Sequence, residues 1–229
     1  MYPYRTKILG ENFLLESFIE DYENHKFSVP TDENITRVAL FPSESADFGI
    51  KSYLKSGKTK RDPVSEALVV AEHLFLNRGL PLEEISIKTD IGEIRAQASD
   101  GRVFVSLPYK IAPVQKKRVT AYGCELLCRE LTLGVYVRVI ELETLDTLND
   151  SVKALFIPGE NLGSVTFFSH LDRCIVAQSY TQHVKEPPSK GTLAAAVAYA
   201  LSFEGKYDMT LDGERVYIER DGYGIRVSL

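Results

Sequence analysis

The chain has 229 residues, 44% hydrophobic and 26% charged, with 32 acidic and 27 basic side chains for a formal net charge of −5. That apolar share excludes a disordered or collagen-like chain, and the charge balance lacks the basic excess that phosphate-backbone binding needs, so no nucleic-acid partner is expected. Three cysteines, an odd number, argue against a disulfide framework and fit a reducing cytoplasm.

In chain order, Met1 to Gly10 lacks the apolar core of a secretory signal. Alternating or β-branched patterns predict strands at Thr36–Phe41 and Phe48–Leu54. A helix follows from Pro63 to Arg78. Asp62 stands at its N-cap, Pro63 at the first helical position and Gly79 at its stop. Ile85–Lys88, Ile91–Ala98 and Arg102–Leu107 form a meander with turns near Asp90-Ile91-Gly92 and Ser99-Asp100-Gly101. The Pro- and basic-rich stretch Pro108–Arg118 reads as a boundary, with Lys116-Lys117-Arg118 a solvated loop. Further strands are expected at Gly134–Leu142, Ser164–Phe168, Cys174–Tyr180, Tyr207–Leu211, Arg215–Arg220 and Gly224–Ser228, with Asp212-Gly213 and Asp221-Gly222 as hairpin turns.

Between these lies a second helix, Thr192 to Phe203, apolar on every side and rich in alanine, which must therefore be buried all round. Its apolar run, Leu193 to Leu201, is far shorter than the ~20 residues a membrane span requires, and no membrane association is expected. Strands, one buried helix and more strands thus occur twice, the helix starts lying about half a chain apart. The expectation is an α+β fold of two pseudo-symmetric halves, residues 1–113 and 114–229. The last strand, 218–229, is free to pack back on the first half.

Leu9-Gly10-Glu11-Asn12-Phe13 followed by Leu14, Leu15 and Glu16 resembles the opening of the diaminopimelate epimerases. Ala46-Asp47 with Lys51, Tyr53 and Gly57 resembles that family's next segment. The exit Arg78-Gly79-Leu80 of the first helix matches in place and length. Phe156-x-Pro158-x-x-Asn161-Leu162 and Gly191 with Ala194-Ala195-Ala196-Val197 are similar to its later signatures. A shorter stretch, Glu186-Pro187-Pro188-Ser189-Lys190-Gly191-Thr192, is similar to a signature of the PhzF-like phenazine-biosynthesis isomerases, which use carboxylates where the epimerases use thiols. The resemblance implies two pseudo-symmetric domains, each a mixed β-barrel or roll around a central buried helix, with a ligand cleft between them. It implies no cofactor and the binding of a small amino acid or carboxylate; a homodimer is common for such folds.

The departures matter as much. The family's catalytic cysteines, one at each helix start, fall here near Val64 and Pro188, and Cys124, Cys128 and Cys174 lie in neither signature. The family's strand asparagine becomes Leu54. Acid–base candidates are then Asp62, Glu66 and Glu186. The helix ends offer Ser65, Ser189, Lys190, Gly191 and Thr192 to an anion, because a helix N-terminus presents unpaired N–H groups and a positive dipole end. Asn12 and Asn161 join these as ligand contacts that the resemblance implies. Glu11, where the family has a substrate-facing asparagine, is also a cleft candidate, but its charge disfavours a carboxylate guest. His73, mid-helix among apolar residues, reads as structural. No metal-ligand spacing appears: Cys124 and Cys128 lack a second pair, and His170, Cys174 and His183 follow no zinc pattern. Two readings stand: a divergent, cofactor-independent isomerase working through carboxylates, and a catalytically silent relative that binds a ligand or partner. Polar groups converging at the helix starts favour the first; a cleft plugged by Val64, Leu54 and Pro188 favours the second.

Overall fold

The computed structural model describes residues 4–17, 35–53, 59–60, 63–108, 110, 114–121, 124–146, 148–149, 152–153, 156, 164–181 and 187–228. Two short helical rods and sixteen strands are found among them. The first half contains β1 (Tyr4–Ile8), β2 (Glu11–Ser17), β3 (Ile35–Pro42), β4 (Phe48–Tyr53), the short β5 (Thr59–Lys60), helix α1 (Pro63–Ala71), β6 (Glu84–Thr89), β7 (Gly92–Ser99) and β8 (Arg102–Pro108). The second contains β9 (Gln115–Ala121), β10 (Cys124–Leu133), β11 (Val135–Glu141), β12 (Ser164–Leu171), β13 (Cys174–Tyr180), helix α2 (Lys190–Ala200), β14 (Gly205–Leu211), β15 (Glu214–Arg220) and β16 (Gly224–Ser228).

All the strands belong to one continuous sheet, ordered β1-β2-β3-β4-β6-β7-β8-β16-β15-β14-β13-β12-β11-β10-β9, with β5 pairing β4. The pairings follow one pattern twice. From β1 to β8 they run antiparallel, parallel, antiparallel, parallel, antiparallel, antiparallel, with α1 inserted before β6. From β10 to β16 the same series recurs, with α2 inserted before β14. The two series meet where β16 pairs antiparallel with β8, Ile225 opposite Leu107. That seam is tight: a Cβ on Gly224 would lie 2.3 Å from the Leu107 carbonyl oxygen, so only glycine fits.

Both helices are buried because neither has a polar face. Every residue of α1 is buried, as is every residue of α2 from Gly191 to Ala200. Ser189 caps α2, its Oγ accepting from the Thr192 N–H at 3.3 Å. At the other end the Arg220 guanidinium donates to the Ala198 and Tyr199 carbonyls at 3.2 and 2.8 Å, satisfying acceptors the helix leaves open. The α-helical ladder of α1 stops at Ala71 and continues as a π-helical turn over Glu72–Asn77, so the rod predicted from Pro63 to Arg78 exists but changes its winding just past its midpoint. α2 spans Lys190–Ala200 rather than running to Phe203. One apolar core takes in both helices and the inward residues of both strand series.

A second, smaller core lies on the opposite face of the sheet, around Cys128, Ile140, Leu145, Phe156, Val165 and Phe167. Buried beside it is Glu130, 1% exposed. Arg138 donates to it through Nε at 3.0 Å and Nη2 at 2.5 Å and gives Nη1 to the Phe156 carbonyl at 2.7 Å. Lys117 also pairs with Glu130. Lys116-Lys117-Arg118 is therefore no loop: it runs through β9, at one edge of the sheet. No helix among the described residues is long and apolar enough to cross a membrane.

Candidate functional site

The first turns of α1 and α2 touch, and this contact organises the site. The Gly191 N–H donates to Ser65 Oγ at 3.1 Å. A Cβ on Gly191 would lie 2.6 Å from that oxygen, 3.0 Å from the Ser65 nitrogen and 3.2 Å from its Cα, so α2 meets α1 through a position that tolerates no side chain. Ser65, Ser189, Gly191 and Thr192 are all buried.

Into this junction comes a carboxylate from the chain itself. Glu11 begins β2, just after a two-residue turn in which Leu9 and Gly10 both have positive φ, 50° and 79°. Two such residues suit a tight hairpin, but a leucine in that region is strained, at a cost on the order of 1–3 kcal/mol. Glu11 Oε1 accepts the Lys190 backbone N–H at 3.3 Å, and Glu11 Oε2 accepts the Ser65 hydroxyl at 3.4 Å. The Lys190 ammonium lies 3.8 Å from Glu214 Oε1 on β15. Gly10 fits under that pair, since a Cβ there would come within 2.7 Å of Glu214 Oε1 and 3.3 Å of Lys190 Nζ. The anion-binding ends of two helices thus meet an acidic side chain whose oxygens both serve as acceptors.

The other residues singled out in the sequence fall as follows. Glu66 lies in the first turn of α1, 0% exposed. Val64 and Pro188 are buried at the two helix starts. Asn12 is exposed on β2, adjacent to Glu11 in sequence and so on the opposite face of the strand. Asp62, Glu186, Asn161 and Leu54 lie outside the described residues. Cys128 is buried in the smaller core, where burial pushes its thiol up, and Cys174 is exposed at the start of β13. Glu214 is not among the residues the sequence singles out; it reaches Lys190 from β15, which packs against α2.

No protein-family model matches the chain, and no curated protein matches it by sequence. Solved structures do. A hydroxyproline epimerase from Agrobacterium vitis, determined with bound trans-4-hydroxy-L-proline, superposes with a TM-score of 0.63 at 12% identity, over 99% of this chain and 88% of that one. The PhzF-family phenazine biosynthesis protein of Bacillus anthracis gives 0.63 at 15% identity, over 99% and 94%. A PhzF-family protein of Enterococcus faecalis gives 0.64 at 10% identity, over 97% and 90%. The chain has their fold. The resemblance to isomerases read in the sequence is met at the level of that shared racemase and PhzF fold.

Proposed function

We propose that this chain is a catalytically silent member of the racemase fold, acting as a ligand-binding or interaction protein built from two units, residues 1–113 and 114–229. Polar groups do converge at the helix starts, as an isomerase would need, but they satisfy one another: the observation that carries the reading is Glu11, which accepts from Lys190 and Ser65. Exchanging an α-proton requires a free base against the carbon, and inverting the centre by a two-base route requires two groups on its opposite faces. Their separation is roughly 6–7 Å, twice the ~3–3.5 Å approach of reacting atoms. Ser65 and Gly191 instead share a hydrogen bond of 3.1 Å, which leaves no space for a carbon between them. Glu11 could act as a base only by giving up contacts that hold the two helices together. Val64 and Pro188, buried where a thiol pair would stand, support the same reading.

The test is isotope exchange. The protein is incubated in deuterated water with pooled amino acids and hydroxy acids, including hydroxyproline and diaminopimelate isomers, and mass spectrometry reads deuterium at the α-carbon. The expected result is no incorporation above a protein-free control. Incorporation that disappears in Glu66→Gln would overturn the proposal and establish a carboxylate-based isomerase. A companion variant, Glu11→Ala, strips a charged acceptor from two donors and is expected to lose about 1.5–3 kcal/mol. Added acetate should recover part of that loss in the variant and leave the native protein unchanged.

A further inference from the structure

We propose that β1 is an acid-released strap that holds the helix junction shut. This proposal rests on the reading of Glu11 as the junction's own ligand. β1 runs beside α1 and is fastened at both ends. At one end, the Leu9-Gly10 turn delivers Glu11 to Ser65 and Lys190. At the other, Tyr4 and Thr6, on one face of the strand, meet the π-helical turn that closes α1. The Tyr4 ring packs on the His73 imidazole with centroids 4.7 Å apart, Asn77 Nδ2 donates to the Tyr4 hydroxyl at 2.9 Å, and Thr6 Oγ1 lies 3.3 Å from Glu72 Oε2 as donor.

His73 is the residue on which this far clasp turns. It is 5% exposed. Arg78 Nε–H donates to its Nε2 at 3.4 Å, so Nε2 carries the lone pair and the ring proton sits on Nδ1. Nδ1 is buried with no hydrogen-bond partner among the described residues. The clasp is therefore built around a neutral imidazole. Protonation would abolish the bond from Arg78 and set its guanidinium against a cationic, buried imidazole. A π-helical turn, with its weaker ladder, is a natural point for that strain to be released.

Among the described residues, the charged and titratable groups around His73 are few. Tyr4 faces it from β1, whose Arg5 and Lys7 are exposed on the strand's other face. Arg78 and Glu72 flank it in its own segment, and Glu66 lies two turns back along α1. Burial, and then the Arg78 charge, hold the His73 imidazole below its ordinary value. The neutral form's contribution is thus intact above about 6.5 and is lost as pH falls through the lowered value. Burial pushes Glu72 the other way, above the usual carboxylate range, with the Thr6 bond opposing. Its protonation on acidification relieves the fold and cannot be the source of acid release.

Amide hydrogen exchange tests the strap on the whole protein. Rates are measured at about pH 7.5 and about pH 5.5 and corrected for intrinsic chemistry. Residues 4–8 and 72–80, and the Lys190 and Gly191 amides bonded to Glu11 and Ser65, should exchange roughly tenfold faster at the lower pH. β14 to β16 should not change. His73→Gln, which stays neutral, should remove the difference, and Arg78→Gln should shrink it. The proposal is overturned if β1 keeps its protection at pH 5.5, if the loss persists in His73→Gln, or if β1 loosens while Lys190 and Gly191 stay protected. α-Deuteration of a substrate at pH 7.5 would defeat the silent reading alone and would leave these exchange rates to be judged separately.

Discussion

Arg138→Ala is expected to be the most damaging single substitution in the molecule. Glu130 is 1% exposed, and Arg138 supplies two of its donors while also satisfying the Phe156 carbonyl. Removing the guanidinium leaves a buried carboxylate held by Tyr136 and by a lysine that is itself half-exposed. Breaking one side of a buried pair costs about 3–5 kcal/mol, since the surviving charge is left desolvated. Urea denaturation should show that loss at neutral pH. The double variant Glu130→Leu/Arg138→Met, which removes both charges at similar volume, should recover most of it.

The pH dependence carries a sign that identifies the cause. In the native protein, burial pushes Glu130 up, but bonds from Lys117, Tyr136 and Arg138 outweigh it and hold the carboxyl below the usual range. That contribution is present above about 4.5 and is lost as pH falls through the lowered value. Without Arg138 the balance tips toward burial, and the variant's deficit should narrow on acidification. At the alkaline end, burial and Glu130 push Tyr136 up to about 12. Its share of native stability should hold below 10 and fall away between 10 and 12. A deficit in Arg138→Ala that is flat with pH would show that lost packing, and no stranded charge, is the cause.

Gly191→Ala is expected to cost about as much as Glu11→Ala, and it bears on the same site. The added methyl would meet Ser65 Oγ, N and Cα at 2.6, 3.0 and 3.2 Å, and two of those atoms are backbone. Overpacking of this kind costs typically about 1–3 kcal/mol. The hydrogen bond from Gly191 to Ser65 would go with it, a further loss of about 1 kcal/mol. Alanine's better helix propensity returns up to about 1 kcal/mol, so a net loss near 2 kcal/mol is expected. Adding Ser65→Gly removes the Oγ clash but neither backbone clash, and should restore only part of the stability. Full restoration would mean that the helices are held apart by the serine side chain alone.

How far the sequence could be read depends on the range of the signal. The two helices were legible because their cues are local: Pro63 at a first turn, Gly79 at a stop, an all-apolar alanine run. The strands around Asp100-Gly101 and Asp212-Gly213 were legible for the same reason, the aspartates and glycines there all adopting positive φ. β1, β2, β9 and β10 have no counterpart among the strands the sequence predicts. Gln115 to Arg118 looks like a solvated loop because an edge strand carries polar side chains, and Cys128, Arg129 and Glu130 are buried on alternate faces against two different cores. At the site, Ser65, Lys190 and Gly191 could be named from helix-start chemistry. That Glu11 is their partner could not, because the bond to Lys190 joins residues 179 apart and depends on a strained turn that no local pattern announces.

The seam between β8 and β16 bears on how the molecule is made. β8 is synthesised early and waits for a partner more than a hundred residues later in the chain. Until β16 emerges from the ribosome, the first strand series ends in an open edge. The inward face of its β8 already carries Val103, Val105 and Leu107, residues that end up buried. A long-range pairing of this kind is slow to form and leaves apolar strand exposed meanwhile. Assembly should therefore proceed as one late, concerted event, and a ribosome-stalled chain ending before Gly224 should be a substrate for chaperones and proteases, with no independently folded first half.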